Sequence, residues 1–367
     1  MQIKPFKLER YFAKYEFSTK YLLSSSDCDG YSMDYVLNCA NQEEIELWNS
    51  LTLGYTDSQG SIFLRDSIAK QYNTATSEDV LVLSPGEANF ILMNVLLKRG
   101  DHIVCMAPAY QSLYQVCKSI GCKISWWEPE NDKNWNYNPE QLKSLVNENT
   151  KLIIVNFPHN PTGFLPSLIQ LNQIIEIARS RNIVLFSDEM YHQLVHKPEL
   201  NIPSISDLYE NAISLWGMAK SFGLAGLRMG WVVTKNKELL QKIMQFKDYL
   251  TICNNPMSET LSLIALNHKE QFIQPNIKKI IKNKAIFEDF VKKTDGFLQF
   301  TPSMAGSTAF VKLNANQSAL AYSEQLVHET GIMLVPSEMF EFGISHVRIG
   351  FGRENMAEVL DVWEKVL

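Results

Sequence analysis

From Asp79 onward the chain alternates short apolar runs with longer amphipathic stretches, and no other feature limits its fold as tightly. The runs are Val80–Leu83, Ile103–Met106, Ile124–Trp127, Leu152–Val155, Ile183–Phe186, Ala212–Leu215 and Trp231–Val233. A continuous apolar run of this length has no polar face to show to water, so it reads as a strand covered on both sides. The stretch from Leu168 to Arg181 carries apolar residues at helical spacing and stops before the next run, as a crossover helix does. The alternation predicts an α/β fold in which a mostly parallel, seven-stranded sheet is covered by helices. After about Gln274 the rhythm changes to a long Lys-rich helix, the runs Phe297–Phe300 and Ala309–Leu313, a helix around Leu320–Thr330, the runs Ile332–Val335 and His346–Ile349, and a final amphipathic helix. Residues 275–367 are therefore read as a smaller α+β domain.

The 367 residues are enough for two domains, and 46% hydrophobic with 20% charged residues is ordinary for a globular enzyme. With a net charge of −6, a nucleic-acid-binding face is not expected. The six cysteines, Cys28, Cys39, Cys105, Cys117, Cys122 and Cys253, include no Cys-x-x-Cys pair. Neither a metal site nor a disulfide framework is expected, and a reducing cytoplasm suits the composition. The opening residues lack the apolar core of a signal peptide, and no stretch approaches the roughly 20 apolar residues of a membrane span. The expectation is a chain neither exported nor embedded in a membrane.

Three polar clusters stand at or just after the ends of apolar runs. Asn156-Phe-Pro-His-Asn160-Pro-Thr-Gly163 follows one run, Asp188-Glu-Met-Tyr191 follows the next, and Lys220 lies between the last two, with Arg228 eight residues beyond it in Lys220-Ser-Phe-Gly-Leu-Ala-Gly-Leu-Arg228. Polar residues at the ends of buried strands in an open α/β sheet face a ligand crevice. A lysine there can form a Schiff base with a carbonyl, an arginine suits phosphate, and glycines admit close backbone approach. An Asn-Pro-Thr-Gly turn alone is a weak signal, because these are ordinary turn residues. Together the three clusters resemble the fold-type I pyridoxal phosphate enzymes, specifically the class I/II aminotransferase family, from about Leu53 to about Gly352.

That resemblance implies pyridoxal 5′-phosphate as cofactor, with Lys220 as its Schiff-base lysine. It implies Asp188 as the partner of the pyridine nitrogen, where a buried carboxylate keeps that nitrogen protonated. Tyr191 and Asn160 are implied as donors to the phenolic oxygen, and Tyr110 as the aromatic plate on the ring. For the phosphate, the strand-to-helix turn Ser84-Pro-Gly-Glu-Ala88 offers free backbone N–H groups, with Gly86 and Glu87 as donors because Pro85 has none. Arg228 would supply the fixed positive charge. The chain departs from the family at Gly217, where many relatives carry a Ser or Thr as a further phosphate ligand. Ser214 or Ser221 could take its place, or the phosphate could rest on Arg228 and amides. Tyr55 matches a family tyrosine that reaches the neighbouring subunit's phosphate, which implies a homodimer with sites completed across the two-fold axis. Arg348 matches the arginine that grips the substrate α-carboxylate, with Asn160 beside it, which implies amino acid and 2-oxo acid substrates. By the same likeness residues 1–44 pack with the small domain, leaving 45–274 as the large cofactor-binding domain. Ser24-Ser-Ser-Asp27-Cys-Asp29-Gly30 falls at the family's substrate entrance, where Asp27 and Asp29 would suit a basic side chain.

The leading expectation is ping-pong transamination between an L-amino acid and a 2-oxo acid, with Lys220 moving the α-proton. The runner-up is elimination or cyclisation of an arginine derivative through the same carbanion, because the Ser-Asp-Cys-Asp segment and the Met-Ala-Lys context are similar to the capreomycidine-synthase-like branch. A non-catalytic regulator on this fold would need an appended DNA-binding domain. The chain begins too close to the catalytic fold for one and is acidic, so that reading is set aside.

Overall fold

All seven apolar runs become strands of one sheet in the computed structural model, which describes residues 2–131 and 134–367. The strands are β1 (Val80–Leu83), β2 (His102–Met106), β3 (Lys123–Trp127), β4 (Thr150–Asn156), β5 (Val184–Asp188), β6 (Ala212–Gly217) and β7 (Gly230–Val233). Their order across the sheet is β1-β7-β6-β5-β4-β2-β3. The pairs β2–β3, β2–β4, β4–β5 and β5–β6 are parallel, whereas β7 runs antiparallel to both β1 and β6. The architecture is α/β, with a mostly parallel seven-stranded sheet covered by helices.

Apart from the half-exposed edge strand β3, side chains of the strands alternate between cores on the two faces of the sheet. Ile103 and Cys105 join one, and Val104 and Met106 the other. This double burial explains why the strands read as unbroken apolar runs rather than as apolar–polar alternation. β4 and β5 extend past their apolar runs to Asn156 and Asp188, which sit side by side in register. The helix Leu168–Arg179 connects these two strands and starts with a capping box between Ser167 and Gln170.

A second sheet is antiparallel throughout, in the order Val335–Pro336, His346–Gly350, Thr308–Leu313 and Leu298–Gln299. The helices Glu270–Lys292, Ala319–Thr330 and Met356–Glu364 accompany it in the chain. The Lys-rich helix begins earlier than the sequence pattern suggests. It starts at Glu270 rather than after Gln274, with Phe272 and Ile273 buried in its first turns and Pro275 inside it. The run Ile332–Val335 also divides. Ile332–Met333 pairs in parallel with Tyr21–Leu22, and Val335–Pro336 pairs with Arg348 and Val347.

The N-terminal segment, irregular by its sequence, forms a helix at Lys7–Tyr15 with Leu8, Tyr11 and Tyr15 buried. It then lies along the second sheet through backbone hydrogen bonds. The Gly350 N–H donates to the Leu23 carbonyl (2.8 Å), and the Asp29 N–H donates to the Gly352 carbonyl (3.1 Å). The approach leaves no room for a side chain, since a Cβ on Gly350 would lie 2.0 Å from the Ser25 carbonyl oxygen. Among the described residues, no helix is long and apolar enough to cross a membrane. Gly350→Ala should therefore push the 23–29 segment off the strand and cost about 3 kcal/mol of stability. A shift of the urea unfolding midpoint measures this, and an unchanged midpoint would show that the segment yields freely.

Candidate active site

Parallel strands bring their carboxyl ends to one edge, and the loops leaving that edge open into a cleft of about 460 Å³. Pairing across β7 determines what meets there. Leu83 of β1 and Gly217 of β6 both lie opposite Gly230, the first residue of β7. The turn after β1, the loop after β6 and the residues just before β7 are thus neighbours. They carry Gly86, Lys220 and Arg228 respectively, and all three line the cleft.

The other lining residues come from the next strands and from the second sheet. Tyr110 follows β2, Asn160 follows β4, Asp188 ends β5, Tyr191 comes three residues later, and Arg348 reaches in from the His346–Gly350 strand. His159 ties two of these loops together, its ring nitrogens meeting the Thr162 hydroxyl (2.7 Å) and the Pro108 carbonyl (2.8 Å). Asn156, beneath them, accepts from the Asn160 N–H (2.7 Å) and donates to the Asp188 carbonyl (2.6 Å).

Two candidates stand outside the cleft of their own chain. The Glu87 carboxylate turns away to accept from the Thr251 hydroxyl (2.6 Å). Its amide belongs to the uncapped first turn of the helix Pro85–Leu96, where N–H groups have no intrahelical partner. Tyr55 is 90% exposed on the surface. The expected pairing of Asp27 and Asp29 at the entrance is corrected. Asp27 lines the cleft, but Asp29 is held outside by Lys279 (2.9 Å) and Arg353 (3.4 Å).

Gly217 has a steric reason. A Cβ there would lie 2.8 Å from both the Gly230 Cα and the Met229 carbonyl, so no Ser or Thr fits. Neither neighbouring serine is free to substitute. Ser214 shares a hydrogen bond with Ser206 (2.9 Å), and Ser221 donates to the His192 carbonyl (2.6 Å). The cationic Arg228 and the helix N-terminus remain as the anion-attracting features of this corner.

Burial sets the electrostatics. It pushes the Asp188 carboxyl up from its ordinary 3.8 to about 6, against the opposing pull of the Met190 N–H (3.1 Å) and of Lys220. Burial likewise lowers Lys220, while Asp27 and Glu9 favour its charge and Arg348 and Arg228 oppose it. The Lys220 ammonium donates to the Ser26 hydroxyl (2.8 Å), and the Tyr191 hydroxyl donates to the Ser26 carbonyl (3.1 Å). Arg348 is 1% exposed; its Nε donates to the Ser24 carbonyl (3.0 Å) and its Nη1 to Asn160 Oδ1 (3.3 Å), while Nη2 has no hydrogen-bond partner among the described residues. A buried guanidinium nitrogen without a partner is costly unless a ligand supplies one.

The sequence reading missed the wall that the N-terminal helix contributes, with Leu8, Glu9, Phe12 and Glu16 lining the cleft. The apolar spacing of Leu8, Tyr11 and Tyr15 is the signal that could have located that helix. Glu9 accepts from the Tyr110 hydroxyl (2.6 Å), which tethers the helix to the loop after β2.

Residues 18–362 match the family described as aminotransferase class I and II. The chain belongs to that family. Among its relatives, capreomycidine synthase of Streptomyces vinaceus is 27% identical over 296 residues, which cover 80% of this chain and 75% of that protein. An aspartate aminotransferase of Sulfurisphaera tokodaii is 27% identical over 337 residues, covering 84% and 83%. The crystal structure of a PLP-dependent aminotransferase from Streptococcus suis superimposes with a TM-score of 0.92 at 26% identity, over 100% of this chain and 98% of that one.

Pyridoxal 5′-phosphate is accordingly the cofactor of this aminotransferase-family chain, and the cleft suits it. An uncapped helix N-terminus and Arg228 match a phosphate, a carboxylate matches a pyridinium, and a lysine matches an aldehyde. Next to Gly86 a Cβ would meet nothing within 4 Å, so the corner by the helix start is open.

The raised Asp188 carboxyl has a stability consequence in cofactor-free protein. A group whose pKa rises on folding contributes fully below its unfolded value and loses that contribution as pH rises through about 6. Asp188→Asn should thus match the parent near pH 4 and exceed it by up to about 3 kcal/mol at pH 8, a rise of about two pKa units. Thermal melts of the two apoproteins across that range measure the gap, and a gap that does not grow with pH would contradict the burial argument.

Proposed function

We propose that this protein is a transaminase that moves the amino group of an L-amino acid to a 2-oxo acid. The observation that carries the reading is the meeting of Lys220, Asp188 and the unpartnered Nη2 of Arg348 in one cleft. The bound cofactor supplies an amine-reactive carbonyl and an electron-accepting ring that stabilises a carbanion at the substrate α-carbon. Asp188 would hold a proton on the ring nitrogen, and the approach of that positive charge opposes the burial that raises its own pKa. The Gly86 and Glu87 amides and Arg228 would hold the phosphate, Tyr110 would cover the ring, and Tyr191 and Asn160 would donate near its phenolic oxygen. Arg348 would receive the α-carboxylate in a fork of two N–H groups, fixing where the α-carbon sits. Lys220 then faces that carbon. Burial lowers its pKa, and as a free amine Nζ would take the α-proton and hold it as an ammonium.

A second reading, elimination or cyclisation of an arginine derivative, is favoured by the likeness to capreomycidine synthase. Transfer is preferred because it asks for nothing beyond the groups above. Borohydride reduction of the cofactor-loaded protein, followed by peptide mapping, should find the adduct on Lys220; an adduct on another lysine would sink the assignment. Loaded protein given one amino acid and no acceptor should release about one equivalent of 2-oxo acid and stop. Continued release of ammonia, or formation of a ring, would favour the second reading.

The proposal includes a homodimer. Tyr55, Leu53, Phe63 and Tyr249 are apolar or aromatic and lie between 64% and 90% exposed, more than an isolated chain usually leaves open together. Tyr55 would complete the partner's site, and sedimentation should find a dimer at assay concentration; a fully active monomer would refute this. A boundary near residue 274 between the two proposed domains falls inside the Glu270–Lys292 helix, which would make that helix a stiff link. The six free cysteines accord with a cytoplasmic location.

A further inference from the structure

We propose that the cleft selects amino acids whose side chain ends in a cation, a guanidinium or an ammonium. This deepens the reading above and rests on it, because Arg348 must hold the α-carboxylate for the side chain to have a fixed origin.

The wall contributed by the N-terminal segment is acidic. Glu9, Phe12 and Glu16 follow one another at spacings of three and four residues along the helix Lys7–Tyr15 and its C-cap, and all three line the cleft. Asp27 joins them from the segment that docks against the second sheet. Their charges act on one another. After burial, Asp27 and Glu9 are the main causes that hold the Glu16 carboxyl above its ordinary value.

Cations balance these carboxylates only in part, since Arg353 and Lys220 pull the Glu16 carboxyl down without cancelling its rise. Asp27 has Arg353 at 3.0 Å. Among the described residues, Glu9 accepts only from the neutral Tyr110 hydroxyl (2.6 Å). Glu16 makes no side-chain hydrogen bond or ion pair among the described residues, and it sits at the negative end of its helix, where a carboxylate is disfavoured. The cations that do line the cleft, Lys220, Arg228 and Arg348, are the ones assigned to the α-carbon, the phosphate and the α-carboxylate. Three acids therefore face the cleft with one external cation among them.

Arg348 gives the independent sign that a ligand belongs here, since its Nη2 is buried, unpartnered and part of the same cleft. The guanidinium carbon of Arg348 lies 5.7 Å from the centre of the Phe12 ring, and Phe12 is flanked on its helix by Glu9 and Glu16. A substrate anchored at Arg348 can run its methylene stem along Phe12 and end among the carboxylates. An acidic side chain taking the same path meets like charge.

The test is the binding of single amino acids to the cofactor-loaded protein, read by calorimetric titration and by the visible absorption of the cofactor. Arginine, lysine, ornithine, citrulline, glutamate and alanine form the panel. Citrulline has the length of arginine with a neutral end, so it isolates the charge. Arginine, or lysine and ornithine, should bind at least about tenfold more tightly than citrulline and glutamate, the scale set by a charge-assisted hydrogen bond. The arginine and lysine arms tell a guanidinium from an ammonium. Glu16→Gln and Asp27→Asn should bring the advantage of the cationic amino acid over citrulline down toward unity. Equal affinity for arginine, lysine and citrulline, or a preference for glutamate, overturns the proposal and leaves the amino acid reading standing. Failure of every amino acid to bind, alanine included, overturns both.

Discussion

The common direction of the strands is the constraint from which the site follows. Once β2, β4, β5 and β6 run the same way, every loop that leaves a carboxyl end must open on the same edge, whatever its length. Tyr110, Asn160, Asp188 and Lys220 come from four such loops and strand ends yet share one cleft. Their apolar approaches bury both faces of the sheet, so the polar groups are carried on a frame that has little freedom to move.

Burial costs at the edge are balanced by ligand rather than by protein. Asp188 is held near pH 6, Lys220 is pushed toward its neutral form, and Arg348 keeps one nitrogen without a partner. Each is costly when buried, and an opposite charge or a hydrogen-bond acceptor from a ligand would offset that cost. In this sense the cleft suits a phosphorylated cofactor.

Most of the strands were legible because double burial writes itself as an apolar run of four or five residues, too short for a helix. The polar clusters that follow such runs were legible for the same reason, since a strand end fixes the edge to which its loop belongs. What lay beyond reach was tertiary. Glu9, Phe12 and Glu16 reach the cleft because backbone groups of Leu23 and Asp29 bond to Gly350 and Gly352, more than 300 residues away, and no local pattern encodes that pairing. The fate of Asp29 was hidden likewise, because its partners Lys279 and Arg353 are remote in sequence. The start of the Lys-rich helix was placed too late, because residues 270–274 join it through the burial of Phe272 and Ile273.

The reversal of β7 puts Lys220 and Arg228 in a single loop whose two ends are stitched together by the Gly217–Gly230 pairing. Between those ends the loop is braced from outside: Asn276 of the Glu270–Lys292 helix donates to the Ser221 carbonyl (3.1 Å), and a Cβ on Gly223 would lie 3.0 Å from the Asp29 carbonyl oxygen. Glu9 and Glu16 stand on a separate helix and its C-cap, so mutation there can reshape that wall while the Gly217–Gly230 stitch stays as it is. Diversity of substrates within one inherited scaffold is what such a division of labour allows.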